Sequence, residues 1–214
     1  MPTTRRSNSN MEDKMRKMKM MMAAVAAAGF AAVVYAQAVQ FPFFVYNNDG
    51  EKENTHFIAS GYMGDFGDFK VEMNCGDAPK EGKSCIKVEY TGQKSQGQGW
   101  AGIFWQEPLN NWGEMDGGYN LTGAKKFVFW AKGAQGGEEV EFMVGGGAGK
   151  NGKKGNTAEA KLGKVTLAKD WTKYTIDLSG KDMSNIIFGF GFVVAGNAKT
   201  FYIDRMAYVN ADME

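Results

Sequence analysis

One segment of the chain, residues 99–120, combines flat aromatic side chains with side-chain amides and carboxylates. A sugar ring presents an apolar C–H face and a belt of hydroxyl groups, so a receptor for sugars pairs aromatic rings with polar groups that bond to hydroxyls. The segment therefore predicts a surface that binds carbohydrate. The candidate stacking residues are Trp100, Trp105, Trp112 and Tyr119, and the candidate hydroxyl partners are Gln106, Glu107, Asn110 and Asn111.

The three tryptophans of this segment differ in how freely each could meet a ligand. Trp100 and Trp105 are an odd number of residues apart, so on an unbulged strand their side chains point to opposite faces and only one can enter the core. Trp112 follows Pro108 in a loop, where an exposed ring would most need a ligand. The alternative is that all three rings pack inside the domain, and the sequence leaves both interpretations open.

Catalytic chemistry is poorly supported by the residue types present. His56 is the single histidine, and a Ser-His-Asp triad or a zinc site would have to use it. Carboxylates such as Glu107, Glu114 and Asp116 could serve glycoside hydrolysis, but they follow no specific pattern. Glu139 and Glu141 alternate with apolar residues and predict the solvated face of a strand. We therefore expect a protein that is not an enzyme.

The sequence also predicts a calcium site and a disulfide bond. Asp49, Glu51 and Asp204, with Glu53 nearby, are candidate ligands for a structural calcium ion, although their spacing is not that of an EF-hand loop. Cys75 and Cys85 lie ten residues apart, and in an oxidising compartment this spacing predicts a disulfide that closes the loop between them.

The first 38 residues have the composition of a targeting segment. Residues 14–19 are mostly basic, the 16 residues Met20–Tyr35 are mostly apolar, and an Ala-Gln-Ala triplet follows. This order predicts a signal peptide cleaved after Ala38 or, as second choice, after Ala36. A retained anchor is the alternative, but a membrane span needs about 20 apolar residues. The mature protein is thus expected to be secreted, periplasmic or at the cell surface, without a membrane span.

The rest of the chain reads as strands and turns. Glycine accounts for 29 of the 214 residues and proline for only 4, which favours many strands and turns over disorder. Period-two alternation, as in Ile86, Val88 and Tyr90, indicates strands with one buried face. Residues 39–56 are expected to form an amino-terminal strand or arm, and residues 57–214 a two-sheet antiparallel β-sandwich. The predicted strands are Phe41–Tyr46, Phe57–Tyr62, Phe69–Asn74, Cys85–Tyr90, Trp100–Gln106, Lys125–Lys132, Val140–Val144, Gly163–Leu167, Thr172–Leu178, Ile186–Val194 and Thr200–Val209.

Several of these segments resemble a known family. The stretches Gly-Trp-Ala-Gly-Ile-Phe-Trp-Gln (99–106), Trp-Thr-Lys-Tyr-Thr-Ile-Asp-Leu (171–178) and Phe-Tyr-Ile-Asp-Arg-Met (201–206) are similar to exported galactose-binding-like jelly rolls, a group that includes many carbohydrate-binding modules. The resemblance covers residues 57–209. It implies a jelly roll that binds polysaccharide through aromatic rings on a concave sheet face and carries structural calcium. Relatives commonly have two adjacent aspartates where this chain has Asp204 and Arg205, which departs from the usual calcium site.

The charge distribution narrows the range of partners. The chain has 25 basic and 24 acidic residues, and 6 of the basic but only 2 of the acidic residues lie in residues 1–38. The remainder is mildly acidic, which disfavours binding to a nucleic-acid backbone.

The leading hypothesis is an exported, non-catalytic protein that binds a polysaccharide or glycan. The alternative is a structural protein of the cell surface whose β-sandwich subunits self-associate as a homo-oligomer or polymer.

Overall fold

The computed structural model describes residues 39–48, 55–147 and 155–211, and these residues form eleven strands. The leader prediction falls on residues 1–38, outside the described part. Each strand overlaps one that the sequence predicts, although β8 begins four residues before the predicted start at Gly163. They are β1 (Phe43–Tyr46), β2 (Ile58–Gly64), β3 (Phe69–Cys75), β4 (Cys85–Tyr90), β5 (Trp100–Gln106), β6 (Lys126–Gly133), β7 (Glu139–Gly145), β8 (Glu159–Thr166), β9 (Thr172–Asp177), β10 (Phe188–Ala195) and β11 (Lys199–Val209).

The strands divide into two antiparallel sheets, which confirms the predicted fold class. The first sheet has the order β3-β4-β11-β6-β9, and β1 also pairs with β11. Strand β4 pairs with Lys199–Ile203 and β1 with Met206–Tyr208, so the two short strands share one long partner. The second sheet has the order β2-β5-β10-β7-β8. We call these the six-stranded and the five-stranded sheet.

A single large apolar cluster joins the inner faces of the two sheets. Alternate residues of each central strand enter it, for example Phe127 and Phe129 of β6 and Phe190 and Phe192 of β10. Tyr208 of β11 donates its hydroxyl hydrogen to the carbonyl oxygen of Gly189 at 2.7 Å, a polar link inside the core. Because side chains alternate across a strand, the residues between the inward ones form the outer faces of the sandwich.

The described residues all belong to one compact unit. Among them, no helix is long and apolar enough to cross a membrane.

Candidate functional site

Trp105 lies in the core of the sandwich. Its side chain is 1% exposed, and its ring centroid lies 5.5 Å from that of Phe190 and 6.1 Å from that of Phe192. Strand β5 sends Ala101, Ile103 and Trp105 inward, so the opposite parity of Trp100 and Trp105 holds. The structure thereby corrects the stacking role that we predicted for Trp105: its ring is core packing and is not available to a ligand.

Gln106 and Asn111 are also fully buried, and their amide groups shape the loop that follows β5. The Ser60 hydroxyl donates to Gln106 Oε1 at 2.8 Å and accepts a hydrogen bond from the backbone N–H of Asn110 at 3.1 Å. Gln106 Nε2 donates to the carbonyl oxygen of Asn111 at 3.0 Å. These two amides were predicted to bind sugar hydroxyls, but their hydrogen bonds are made within the protein, where they tie residues 107–115 to β2 and β5.

Trp112 is held at the surface by this loop. Its side chain is 40% exposed, and its ring meets Phe188 edge-on with 5.7 Å between centroids. Phe188 in turn stacks on Phe104 at 4.6 Å. Both phenylalanines belong to the outer face of the five-stranded sheet, and the ring of Phe104 lies over Gly191, where a Cβ would approach it to 2.3 Å.

Trp100 lies on the same outer face, at the other end of β5. It is half-buried and pairs across the sheet with Ala195 of β10. Six residues of strand at about 3.3 Å each separate it from the Gln106 end, a distance of about 20 Å. Trp100 therefore lies at one end of the outer face of β5, and Trp112 lies beside the other end, near Gln106.

A small depression of about 80 Å³ lies on this face beside Ala195, lined in part by Val193, Glu141 and Lys164. Glu141 and Lys164 are register partners in β7 and β8, and Lys164 Nζ is 3.5 Å from Glu139 Oε2. From the sequence, Glu139 and Glu141 are candidate carboxylates for glycoside hydrolysis but are better interpreted as the solvated face of a strand. The order β5-β10-β7-β8, which brings them to the same face as Trp100, cannot be derived from alternation within single strands.

The other candidate residues from the sequence are Tyr119, Asn110 and Glu107, and the single histidine, His56, lies beside Tyr119. Tyr119 packs against Phe57 at 4.9 Å and His56 at 5.3 Å, and burial, followed by the charge of Glu107, raises its pKa. His56 stacks on a phenylalanine ring and its Nδ1 lies 3.0 Å from a backbone carbonyl oxygen. Asn110 is exposed with φ of 57°. Glu107 is half-buried beside the loop.

Asp204 has partners that differ from those of a calcium ligand. Its Oδ2 accepts backbone N–H groups of Lys80 at 2.9 Å and Glu81 at 3.3 Å, and its Oδ1 accepts that of Arg205 at 2.8 Å. A carboxylate surrounded by amide donors does not fit a calcium site at this position, because the donors' hydrogens occupy the space of the cation. No group of three or more acidic, histidine or cysteine residues in the described ranges could hold a metal ion. Asp49 and Glu51 fall outside those ranges.

Cys75 and Cys85 face each other in the register of β3 and β4. Both are buried, and the structure contains them as free thiols. Burial, with smaller contributions from the charges of Asp204 and Cys75, raises the pKa of Cys85 to about 12. The predicted disulfide stays a prediction, and the pairing places the two side chains where adjacent strands bring Cβ atoms close.

Comparisons with solved structures identify the fold. A family 30 carbohydrate-binding module has a TM-score of 0.56 and 14% identity, covering 80% of this chain and 89% of the module. A family 11 carbohydrate-binding module of a cellulosomal cellulase of Clostridium thermocellum has a TM-score of 0.52 and 18% identity, covering 78% and 94%. A family 30 module of another cellulosomal cellulase of that organism has a TM-score of 0.54 and 14% identity, covering 80% and 98%.

At the level of sequence, no protein-family model and no curated protein matches the chain. The identities to the solved modules are low, so these likenesses establish the architecture. The chain is therefore an all-β sandwich with the fold of carbohydrate-binding modules.

Proposed function

We propose that this protein is an exported, non-catalytic carbohydrate-binding protein, and that the outer face of the five-stranded sheet binds a polysaccharide. The exposed ring of Trp112 carries the proposal: it is 40% exposed although the loop beneath it is fixed by buried amides. A large aromatic ring held rigidly in water is what stacking on a sugar requires, because little side-chain entropy is lost on binding.

The face offers both halves of a sugar receptor along its length. Trp112 and Trp100 provide apolar rings near its two ends, and Glu141 and Lys164 provide a carboxylate and an ammonium group beside the Trp100 end. The chain resembles family 30 and family 11 carbohydrate-binding modules in fold, which supports a ligand of the same class. We keep a structural calcium ion as a proposal only for Asp49 and Glu51, and no longer for Asp204.

Affinity electrophoresis against β-glucans, xylan, mannan and galactan tests the proposal. We expect at least one polysaccharide to retard the protein, and Trp112→Ala to weaken that binding about tenfold, the effect of losing roughly 1.4 kcal/mol of ring contact. Trp100→Ala should weaken it in the same direction.

The matched control is Leu109→Ala, since Leu109 is another exposed apolar residue of the same loop, at 53% exposure, but has no ring. It should bind as the unmodified protein does. Equal retardation of the Trp112→Ala variant, or no retardation of the unmodified protein by any of the four polysaccharides, would contradict the proposal.

A further inference from the structure

A second and larger concavity lies at one end of the sandwich, beside the Trp100 end of the outer face. It is a cleft of about 750 Å³, formed by the β6–β7 turn, the β10–β11 turn and the end of β4. Glu139 and Ala195 line both this cleft and the small depression on the outer face. The two concavities are therefore adjacent, and a chain lying along the outer face towards Trp100 reaches the cleft.

Two buried oxygens of residues that line the cleft have no hydrogen-bond partner among the described residues. They are the hydroxyl of Tyr90, whose side chain is 2% exposed, and Oε2 of Glu138. Buried polar atoms are nearly always paired, so an unpaired one in a native structure calls for a water, an ion or a ligand that completes it. Both atoms belong to residues that line one cleft, so a water or a ligand group that reached them from the cleft would complete their hydrogen bonding.

The carboxylate of Glu138 is held in place by its surroundings. Its Oε1 accepts the backbone N–H of Gln135 at 2.8 Å, within the β6–β7 turn. Its Oε2 lies against Gly133, where a Cβ would stand only 1.7 Å away. A side chain at position 133 would therefore displace the carboxylate, and this close approach depends on glycine.

The lining also contains a donor. Lys199 Nζ donates to the carbonyl oxygen of Ala195 at 2.8 Å and to that of Glu139 at 3.3 Å, which leaves one ammonium hydrogen for a ligand. Lys199, Glu138 and Glu139 together give the lining one positive and two negative charges, a balance that disfavours an anion such as a uronate or phosphate. The aromatic ring in the lining, that of Tyr90, is buried, so a flat polymer has no platform there.

We propose that this end cleft binds the terminal sugar of a neutral glycan chain whose interior units lie on the outer face. A terminal unit carries hydroxyl groups that act as donors towards Glu138 and Tyr90 and as acceptors towards Lys199. The inference rests on the proposed function, and it adds that the protein recognises chain ends as well as chain interiors.

The test compares short linear oligosaccharides with long polymers. Cellohexaose, laminarihexaose and xylohexaose are titrated into the full-length protein by calorimetry, and polymer binding is followed by electrophoresis. We expect Tyr90→Phe to weaken binding of a hexasaccharide about 3- to 10-fold and Glu138→Gln about tenfold, the usual effects of losing a neutral and a charged hydrogen bond. Retardation by the polymer should change less than about twofold, because few of its units are ends.

Controls separate this proposal from a structural role. Tyr90→Phe removes a buried hydroxyl that has no partner, so the variant should unfold at the same or a higher temperature than the unmodified protein. Tyr174→Phe, at a core tyrosine that does not line the cleft, should leave hexasaccharide binding unchanged. Trp112→Ala should weaken polymer binding most.

Unchanged hexasaccharide binding in both Tyr90→Phe and Glu138→Gln overturns the end-cleft proposal while leaving the outer-face proposal intact, as does retardation by a polymer with no hexasaccharide bound. Loss of polymer and hexasaccharide binding to the same degree in Glu138→Gln also overturns it, because the cleft would then not be specific for ends. A protein that binds no polymer but binds a hexasaccharide through Tyr90 and Glu138 supports the cleft and contradicts the outer face.

Discussion

Asn111 has no exposed surface, yet its amide forms a complete set of hydrogen bonds with the loop that carries Trp112. Nδ2 donates to the carbonyl oxygens of Glu107 at 3.3 Å and Met115 at 3.2 Å, and Oδ1 accepts the N–H groups of Gly113 at 2.9 Å and Met115 at 3.2 Å. Two donated and two accepted bonds are all that an amide can make. Asn111 was predicted from the sequence as a partner for sugar hydroxyls, but these bonds are made within its own loop. The role that we propose for it is to position the ring of Trp112.

Replacing Asn111 with alanine should therefore destabilise the protein and weaken polysaccharide binding together. The backbone groups of the loop lose their partners, and leaving a buried group unpaired costs about 1–3 kcal/mol. Urea unfolding monitors the stability and affinity electrophoresis the binding.

The matched control is Asn120→Ala, because Asn120 is exposed and its Oδ1 accepts only the N–H of Thr122 at 3.0 Å. That variant should lose less than about 1 kcal/mol and bind normally. The positioning role of Asn111 is contradicted if its variant binds polysaccharide as tightly as Asn120→Ala does.

The loop between β3 and β4, residues 76–84, is attached to the outer face of the six-stranded sheet by several side chains. Asp204 of β11 accepts two of its backbone N–H groups, Trp171 Nε1 donates to its Ala78 carbonyl oxygen at 3.1 Å, and its Lys80 ammonium lies 4.3 Å from the centroid of the Trp130 ring. The ion pair between Arg205 and Glu81 adds to this attachment. The Asp204-Arg205 pair therefore attaches this loop to β11.

The register pair Cys75 and Cys85 closes the base of this loop. If the protein forms the predicted disulfide in an oxidising compartment, mass spectrometry after alkylation without reduction will show no alkylation at either cysteine. Reduction should then lower the unfolding free energy by about 2 to 3 kcal/mol, since a loop of this length regains that much chain entropy in the unfolded state.

The control is the double variant Cys75→Ala with Cys85→Ala, whose stability should not respond to reductant. Full alkylation of both cysteines in the unreduced, denatured protein would show that the disulfide is absent.

Near the cleft end of the sandwich, two buried carboxylates accept hydrogen bonds from backbone N–H groups. Asp65 is buried and accepts N–H groups of Gln96, Gln98 and Gly99 at 2.8, 3.0 and 2.6 Å. Asp68, also buried, accepts that of Lys94 at 2.6 Å. Burial by itself would raise the pKa of Asp65, but the backbone hydrogen bonds outweigh it and lower that pKa below 3.8.

This shift predicts how stability depends on acid. Because the folded pKa of Asp65 lies below the unfolded value, its contribution is complete above the unfolded pKa and is lost as the pH falls through the lower folded value. Thermal unfolding between pH 6 and about pH 2 should thus show decreasing stability below about pH 4. In Asp65→Asn, which carries no titrating group at this position, the decrease should be smaller; an identical acid dependence in both proteins would refute this assignment.

At the scale of the whole molecule, the self-associating surface protein stays a prediction beside glycan binding. The likeness to carbohydrate-binding modules of families 30 and 11 extends over most of the described sandwich. Both tryptophans proposed to stack on sugar, Trp100 and Trp112, lie on the side of the five-stranded sheet. On the other sheet, residues 76–84 contact Asp204 and Trp130 of the outer face.

Local patterns in the sequence were enough to locate the strands, because a half-buried strand repeats its apolar residues every two positions, as at Ile86, Val88 and Tyr90. They also placed Trp100 and Trp105 on opposite faces. Which face is buried, and what lies beside each residue, depends on pairing between distant strands, such as β5 with β10 and β7 with β10. Only that pairing showed Trp105 to be core, Gln106 and Asn111 to be supports, and the hydroxyl of Tyr90 and Oε2 of Glu138 to be unpaired in one cleft, because hydrogen-bond satisfaction is a property of three-dimensional neighbours.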